Sequence, residues 1–303
     1  MYDIIIIGAG PAGLTAALYA RRADKSVMII DRGTFGGQMT FSPKIENYPG
    51  YEQISGNELA EKMVAQVSAM GVDMEMGEVT GVNRINDVFY VATDECEYMS
   101  RTVIIASGSK HRRLGIDREE DFIGNGISFC AVCDGAFYNG KTVAVIGGGN
   151  SALVEAVMLS DGCQKVYVIQ NLDYLTGEEK LANILRSRKN VEFIYGSVVE
   201  SIYGDDELGG IIIKHEKDLE KQRIDLDGIF VAIGQVPEND IYADFVKLDK
   251  RGYVDSDEFC LTDTPGLFVA GDCRKKEIRQ ITTACSDGAI ASLAACRYID
   301  DNK

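Results

Sequence analysis

The chain lacks several features that would place it in whole classes of protein. Its 31 lysines and arginines are outnumbered by 47 aspartates and glutamates, and the net charge of −16 argues against nucleic acid or an anionic membrane as the main partner. No apolar run approaches the roughly 18 residues that a membrane-spanning helix needs. The N-terminal sequence MYDIIIIGAG has no basic segment and no small-residue cleavage site, which predicts a cytoplasmic protein.

One βαβ unit occurs twice in the sequence. Residues 3–31 and 142–170 align without a gap, and each contains a β-branched run, a glycine turn, an Ala/Leu-rich stretch and a second apolar run. The alignment places Gly8 on Gly147, Gly10 on Gly149, Gly13 on Ala152 and Asp31 on Gln170. In such a unit the glycines allow a tight turn, let the backbone approach a pyrophosphate at a helix N-terminus, and keep the helix close to the strand. Two copies predict an α/β protein with two Rossmann-like domains.

The predicted domains are not consecutive along the chain. Turn-forming residues and changes of composition mark boundaries near residues 112–117 and 234–240. Residues 115–240 are therefore predicted to form a middle domain, inserted into an outer domain that combines residues 1–114 and 241–303.

Asp31 ends the second strand of the first unit, 18 residues after Gly13. A carboxylate at this position can accept hydrogen bonds from both hydroxyls of an adenosine ribose, which suits a dinucleotide without a 2′-phosphate. NAD and FAD both meet this description. Further glycines, together with Gln38 and Asn47, follow where a longer cofactor would continue, and they favour FAD.

Cys130 and Cys133 are spaced C-x-x-C, and Asp134 follows directly. One local turn can bring the two sulfurs within disulfide distance. Reduction of another disulfide needs one thiolate to attack and a second thiol to resolve the mixed disulfide. A carboxyl group whose pKa is raised by burial can donate and accept the protons. The motif therefore predicts a redox pair.

Three other interpretations of the two cysteines exist. A zinc site needs further ligands, but the chain has no second C-x-x-C and only His111 and His215 as histidines, so no metal is expected. A structural disulfide is untypical of the cytosol. Two buried thiols without chemistry stay open as an alternative. The other cysteines are expected to be small buried hydrophobic residues, at positions 96, 163, 260, 273, 285 and 296.

Nine segments, spread over nearly the whole chain, resemble the motifs of the low-molecular-weight thioredoxin reductase family of flavoproteins, in family order. They are GAGPAGLTAALYA, GGQ, IENYPG, IIASGS, CAVCDG, VIGGGNSA, VAIGQVPEN, LFVAGD and RQITTACSDGAIA. The resemblance implies an α/β fold with two FAD/NAD(P)-binding domains of three-layer ββα type, the second inserted into the first. It also implies a homodimer and thioredoxin as the partner.

The resemblance also assigns roles to individual residues. It implies that Cys133 faces the flavin, that Cys130 attacks thioredoxin and that Asp134 shuttles protons. It implies FAD as the cofactor, held by Gly8, Gly10, Pro11, Ala12, Gly13, Asp31, Arg32, Gly37, Gln38, Asn47, Val79, Asp272, Arg279, Gln280 and Ile281.

The second nucleotide unit departs from the family pattern. Where members that use NADPH have a histidine-arginine-arginine cluster and a further arginine, this chain has Gln170, Asn171, Leu172 and Thr176, followed by two glutamates. A charge-assisted hydrogen bond to phosphate contributes about 1.5–3 kcal/mol, so the loss of several predicts weak binding of NADPH. NADH is expected to be weakened less. The intact GGGNSA turn is then interpreted as a packing feature, with Asn150 and Ser151 as helix caps.

These departures favour a pyridine-nucleotide-independent branch of the resembling family, which takes electrons from ferredoxin. Two basic runs, residues 110–113 and 274–279, are candidates for docking an acidic ferredoxin, although each also fits a solvated loop. A reductase that depends on NADPH or NADH is the main alternative. A ferredoxin–NADP reductase is disfavoured by the missing arginines and the C-x-x-C. A non-catalytic flavin-binding redox sensor is disfavoured by the intact Cys-Ala-Val-Cys-Asp.

Overall fold

The computed structural model describes residues 1–42 and 45–302. Its α-helices are Pro11–Arg22 (α1), Gly56–Ala69 (α2), Glu119–Phe122 (α3), Ala131–Asp134 (α4), Asn150–Gly162 (α5), Glu179–Arg186 (α6) and Ile281–Asp301 (α7). Its strands are Tyr2–Ile7 (β1), Val27–Asp31 (β2), Asp73–Met76 (β3), Val79–Ile85 (β4), Val88–Thr93 (β5), Glu97–Ile105 (β6), Lys110–His111 (β7), Ile127–Ser128 (β8), Thr142–Ile146 (β9), Lys165–Ile169 (β10), Val191–Ile194 (β11), Ser197–Gly204 (β12), Leu208–His215 (β13), Lys221–Asp225 (β14), Gly228–Val231 (β15), Gln235–Val236 (β16) and Leu267–Val269 (β17). Short 3-10 helices lie at Gly37–Phe41, Gly135–Tyr138, Asp240–Tyr242 and Gly271–Cys273. None of the helices in these described ranges is long and apolar enough to cross a membrane.

The chain folds into two compact units. Among the described residues, unit 1 comprises 1–42, 48–110 and 236–302, and unit 2 comprises 45–47 and 111–235. The chain passes between them at β7 and β16, which pair with each other. The predicted boundaries, after residues 114 and 240, lie slightly later, because the turn-forming residues on which they rested follow these two short strands.

Unit 1 is built around a buried sheet with the strand order β3-β2-β1-β6-β5-β4, in which β17 also pairs with β6. β1 lies in parallel register between β2 and β6, with Ile4 opposite Val27 and Thr102. The β-branched run Ile4–Ile7 forms a central strand because it is apolar on both faces, and it is fully or almost fully buried. The first half of β6 pairs instead with β5, in antiparallel register.

Each face of this sheet is covered by a different layer. Helices α1 and α7 pack against the face that carries Ile4, Ile6 and Ile104. On the opposite face, Val82 and Phe89 of the β4–β5 hairpin pack against Ile5, Ile7 and their neighbours. The result is a three-layer ββα arrangement, as the family resemblance implies.

Unit 2 repeats this arrangement. Its parallel sheet has the order β11-β10-β9-β15-β8, and the antiparallel sheet β12-β13-β14 covers one face. Helices α5 and α6 cover the other face, where Leu153 and Leu185 are fully buried. The second βαβ unit of the sequence therefore forms β9, α5 and β10.

The prediction that all six remaining cysteines are buried is wrong for two of them. Cys163, Cys260, Cys273 and Cys296 are buried, but Cys96 is exposed and Cys285 is partly exposed. Cys96 lies in the turn between β5 and β6, where its backbone N–H donates to the Thr93 hydroxyl (3.0 Å). A turn that connects two strands lies at the surface, so the thiol stays exposed.

Candidate active site

The first glycine turn forms a tight backbone cradle at the start of α1. Gly8 has φ +109°, and a Cβ atom there would lie 2.3 Å from the carbonyl oxygen of Ala106. A Cβ at Gly13 would lie 1.8 Å from the Gly8 carbonyl oxygen, so α1 can approach β1 only with glycine there. A Cβ at Gly10 would meet no described atom within 4 Å, which leaves open space at the helix N-terminus.

The Asp31 carboxylate lies beside this cradle. Its Oδ2 accepts a hydrogen bond from the Ala9 N–H (2.6 Å) and its Oδ1 accepts one from the Gly33 N–H (2.8 Å). Since a carboxylate has about four acceptor positions, each oxygen keeps capacity for a hydroxyl donor. The two bonds thus fix the carboxylate at the end of β2 without saturating it.

The N-terminus of α7 joins the same cradle. Pro11 is the first residue of α1, and its carbonyl oxygen accepts a hydrogen bond from the Cys285 thiol of α7 (3.9 Å). Gly271 and Gly288 both face Ala12, at distances that leave no room for a side chain on either glycine. The cradle therefore combines the start of α1 with the 3-10 turn at Gly271–Cys273.

The other predicted residues of this turn present polar atoms in need of a partner. Asp272 Oδ1 and Arg279 Nε are buried and have no hydrogen-bond partner among residues 1–42 and 45–302. Asp272 Oδ1 lies 3.8 Å from the Lys276 ammonium, and the Arg279 guanidinium lies over the ring of Tyr253. Gln280 caps α7, and Ile281 is its first residue. Buried polar atoms normally have a hydrogen-bond partner, so these two atoms fit a position that water or a bound group completes.

The remaining predicted residues lie around the cradle or away from it. Gly37 starts a 3-10 helix and packs against the Gly10 backbone, and Gln38 follows it and is exposed. Arg32 pairs with Glu78 and Glu238, Val79 is the partly buried first residue of β4, and Asn47 belongs to the short segment grouped with unit 2.

The turn that carries Asp272 is anchored by a buried ion cluster. Asp287 of α7 is 4% exposed; it accepts hydrogen bonds from the Arg274 guanidinium (2.8 Å to each oxygen), the Lys276 ammonium (2.9 Å) and the Gly271 N–H (3.0 Å). The prediction of residues 274–279 as a basic docking surface is wrong in this respect, because two of its cations are buried against Asp287. A run of basic letters does not show which side chains point inward.

Replacing Asp287 with asparagine is expected to destabilise the protein by about 3–5 kcal/mol, because Arg274 would be left buried without the Asp287 charge and Lys276 would lose the nearer of its two carboxylates. Burial alone would raise the pKa of Asp287, but the hydrogen bonds from these two cations lower it below its ordinary value. The stabilisation is therefore present above the unfolded-state pKa and lost as pH falls through the folded-state pKa. Thermal unfolding from pH 3 to pH 7 measures both effects, and Glu277→Gln, an exposed position in the same loop, is the control. An Asp287→Asn melting temperature equal to that of the control would contradict this account.

The redox pair lies in unit 2, directly after β8. Cys130 caps α4 and forms a disulfide with Cys133, with Cα atoms 5.3 Å apart. The Cys133 N–H also donates to the Cys130 sulfur (3.2 Å). The single turn of α4 brings the two sulfurs to the same side.

Asp134 lies beside the disulfide in a partly buried position. The Ser128 hydroxyl donates to its Oδ2 (2.6 Å), and the Cys130 N–H donates to the same hydroxyl oxygen (3.1 Å). Burial raises the pKa of Asp134, and the Ser128 bond opposes this. Sequence reasoning missed Ser128, since no motif marks a serine at the end of a short strand. The group can both release and accept a proton next to the cysteines.

The second glycine turn differs from the first in what its strand offers. Gln170 is 5% exposed, its side chain packs directly on Gly148, and its amide donates to the Tyr174 carbonyl (3.3 Å). The prediction that Asn150 and Ser151 cap α5 is wrong, because the cap residue is Gly149. The Asn150 side chain instead accepts a hydrogen bond from the Glu178 N–H (2.6 Å), which fixes a carboxylate near the turn. The second turn thus has an inward-turned amide at the end of β10 and a carboxylate held nearby.

The fold and these two sites together define a class: a flavoprotein-type disulfide oxidoreductase with two nucleotide-binding units and a redox-active cysteine pair. Residues 2–288 match the model of the pyridine nucleotide-disulphide oxidoreductase family, and the chain belongs to that family.

Individual relatives are similar over almost their entire length. The chain is 39% identical to a 34.2 kDa protein in the rubredoxin operon of Clostridium pasteurianum, over 98% of this chain and 97% of that protein. It is 39% identical to the thioredoxin reductase of Listeria monocytogenes, over 100% of this chain and 95% of the relative. The crystal structure of a thioredoxin reductase from Streptococcus pyogenes superposes with a TM-score of 0.94 at 41% identity, covering 99% of each chain. The predicted fold class is confirmed.

FAD is the cofactor of this family, which confirms the cofactor prediction. The residues of the first cradle fit such a group: Gly10 faces open space, Asp31 keeps free acceptor capacity, and the buried Asp272 Oδ1 lacks a partner within the described ranges.

Proposed function

We propose that the protein is an FAD-dependent thioredoxin reductase. The observation that carries the proposal is the Cys130–Cys133 disulfide with the Asp134 carboxyl held beside it by Ser128. The relatives named as thioredoxin reductases, at about the same identity over the full chain, support the choice of substrate. A homodimer and a cytoplasmic location are proposed with it, on the resemblance to the family.

In this function, bound FAD supplies the electron pair that opens the disulfide. We assign its pyrophosphate to the turn of Gly8, Gly10 and Gly13 with Pro11 and Ala12, its adenosine ribose to Asp31, and its remaining polar groups to the other residues predicted from the resemblance. Cys130 then attacks the thioredoxin disulfide, Cys133 resolves the mixed disulfide, and Asp134 transfers the protons.

We further propose reduced ferredoxin, rather than NADPH, as the electron donor. Residues 170–179 contain no lysine or arginine, while Gln170 is turned inward and Glu178 is held beside the turn by Asn150. A 2′-phosphate would therefore meet carboxylates instead of guanidinium groups. The competing candidate is NADPH, which is favoured by the intact GGGNSA turn and by the pyridine nucleotide family to which the chain belongs.

Stopped-flow absorbance of the bound flavin distinguishes the donors. Photoreduced ferredoxin is expected to bleach the flavin, whereas stoichiometric NADPH at micromolar concentration is expected to leave it oxidised. Introducing arginines at Asn171, Leu172 and Thr176 is expected to increase the affinity for NADPH by about tenfold or more for each guanidinium that reaches the phosphate. The triple alanine variant is the matched control. Rapid bleaching of the wild-type flavin by NADPH would overturn the proposed donor and leave the disulfide chemistry intact.

A further inference from the structure

Glu155 is a partly buried acidic residue that no motif in the sequence marks. It lies on α5, which packs against α4, the short helix of the redox pair. The backbone of Ala131, which lies between the two cysteines in the sequence, forms a hydrogen bond with the Glu155 carboxyl group. Its Oε2 is buried and has no hydrogen-bond partner in the part of the chain that the structure describes. A second carboxyl group therefore adjoins the redox site.

The carboxyl groups of Glu155 and Asp134 interact electrostatically. Burial raises the pKa of Glu155 to about 8, the charge of Asp134 raises it as well, and the Ala131 backbone opposes both. Asp134 has the Ser128 hydroxyl as a donor, which favours its ionised form. Two neighbouring carboxyl groups in a poorly solvated site do not ionise together easily. The first negative charge therefore goes to Asp134, and Glu155 keeps its proton.

The other elements around α5 place their titratable groups elsewhere. Tyr138, in the adjoining 3-10 helix, has its pKa raised to about 12 by burial and stays neutral. On α6, Glu179 pairs with Arg186; on β10, Lys165 pairs with Glu192. The strand β9 contains no ionisable residue. Asp134 is thus the charged group that acts on Glu155.

We propose that Glu155 is a positioning residue of the redox site: while neutral it leaves Asp134 as the single negative charge beside the cysteines, and once ionised it opposes formation of their thiolates. This deepens the proposed thiol–disulfide exchange and rests on it for the biological meaning. The substrate class is unchanged, but two carboxyl groups now determine the charge beside the cysteines.

The exchange balances with Asp134 as the proton carrier. Cys130 gives its proton to the Asp134 carboxylate, and the Cys130 thiolate attacks the substrate disulfide, whose S–S bond breaks and whose leaving thiolate takes that proton. Cys133 is deprotonated in the same way, attacks Cys130 and re-forms the internal disulfide, and the second leaving thiolate takes the second proton. Two electrons and two protons pass to the substrate. Neutral Glu155 adds no charge to either thiolate, whereas an ionised carboxylate there repels both.

Alkylation of the reduced full-length protein with iodoacetamide tests this proposal without a protein substrate. The rate at Cys130, followed by peptide mass spectrometry from pH 6 to pH 9, reports the thiolate fraction. Glu155→Gln mimics the neutral form, so its rate is expected to match wild type within about twofold at pH 6 and to be about threefold higher at pH 9, the effect at that pH of a one-unit rise in the pKa of an ordinary thiol, which titrates at about 8.5. Asp161→Asn is the control, since Asp161 is an exposed acidic residue of the same helix, paired with Arg188.

A second variant keeps Glu155 and moves its titration. Asp134→Asn removes the neighbouring charge, so the pH at which the wild-type profile bends is expected to move lower. A Glu155→Gln profile that overlaps wild type throughout, or differs by the same factor at every pH, would overturn the proposal; the second result would indicate packing alone. Failure of the purified enzyme to reduce thioredoxin would instead count against the proposed function, because the alkylation assay uses neither thioredoxin nor an electron donor.

Discussion

Cys130→Ser and Cys133→Ser are each expected to lower thioredoxin reduction by roughly a thousandfold or more, because neither serine can form the internal disulfide through which electrons pass. FAD content should be unchanged, since the redox pair lies in unit 2 and the cradle in unit 1. Turnover with a thioredoxin and a chemical or protein reductant measures the loss. The control is Cys96→Ser, which should keep full activity because Cys96 is exposed and distant in sequence from the pair.

The two variants are also expected to differ from each other. If Cys130 is the attacking thiol, Cys133→Ser should accumulate a mixed disulfide with thioredoxin, visible on a non-reducing gel, because nothing resolves it. Cys130→Ser should accumulate none. The opposite pattern would exchange the roles of the two cysteines, and retained activity in both variants would remove the pair from the pathway and favour a redox sensor.

Gly10→Ala and Gly13→Ala are expected to fail in different ways. The Gly10 methyl group would point into open space, so stability should fall by less than about 1 kcal/mol, the scale of a helix N-cap change. The same methyl group would keep a pyrophosphate from the backbone, and the loss of one or two such bonds weakens FAD by about tenfold to over a hundredfold. At Gly13 the methyl group would collide with the Gly8 carbonyl, and about 3 kcal/mol or more should be lost with or without cofactor.

FAD titration and thermal melts of FAD-depleted protein separate the two outcomes. Gly81→Ala, on a strand position where a Cβ also meets no atom within 4 Å, is the matched control and should affect neither measurement strongly. Tight FAD binding by Gly10→Ala would place the pyrophosphate away from this turn.

The sequence shows the nucleotide-binding units clearly because their requirements are local. Gly8, Gly13 and Asp31 are set by a turn and a strand end, so their spacing alone predicts backbone geometry that the structure has. The sequence does not predict the ion cluster at Asp287, because its members lie on a loop and a helix. Packing decides that their side chains point inward. Asn150 illustrates the same limit: a good capping residue instead binds Glu178, which follows 28 residues later.

Unit 1 draws its elements from both ends of the chain, with β17 completing the sheet beside β6 and α7 packing on α1. During synthesis, residues 111–235 leave the ribosome as a continuous block and can fold while the outer unit still lacks these last elements. Gly271, Asp272 and the start of α7 emerge only afterwards. If these residues hold FAD as proposed above, cofactor loading is restricted to nascent chains that already include the start of α7, and a product truncated before Gly271 would carry the cysteine pair without a place for the flavin.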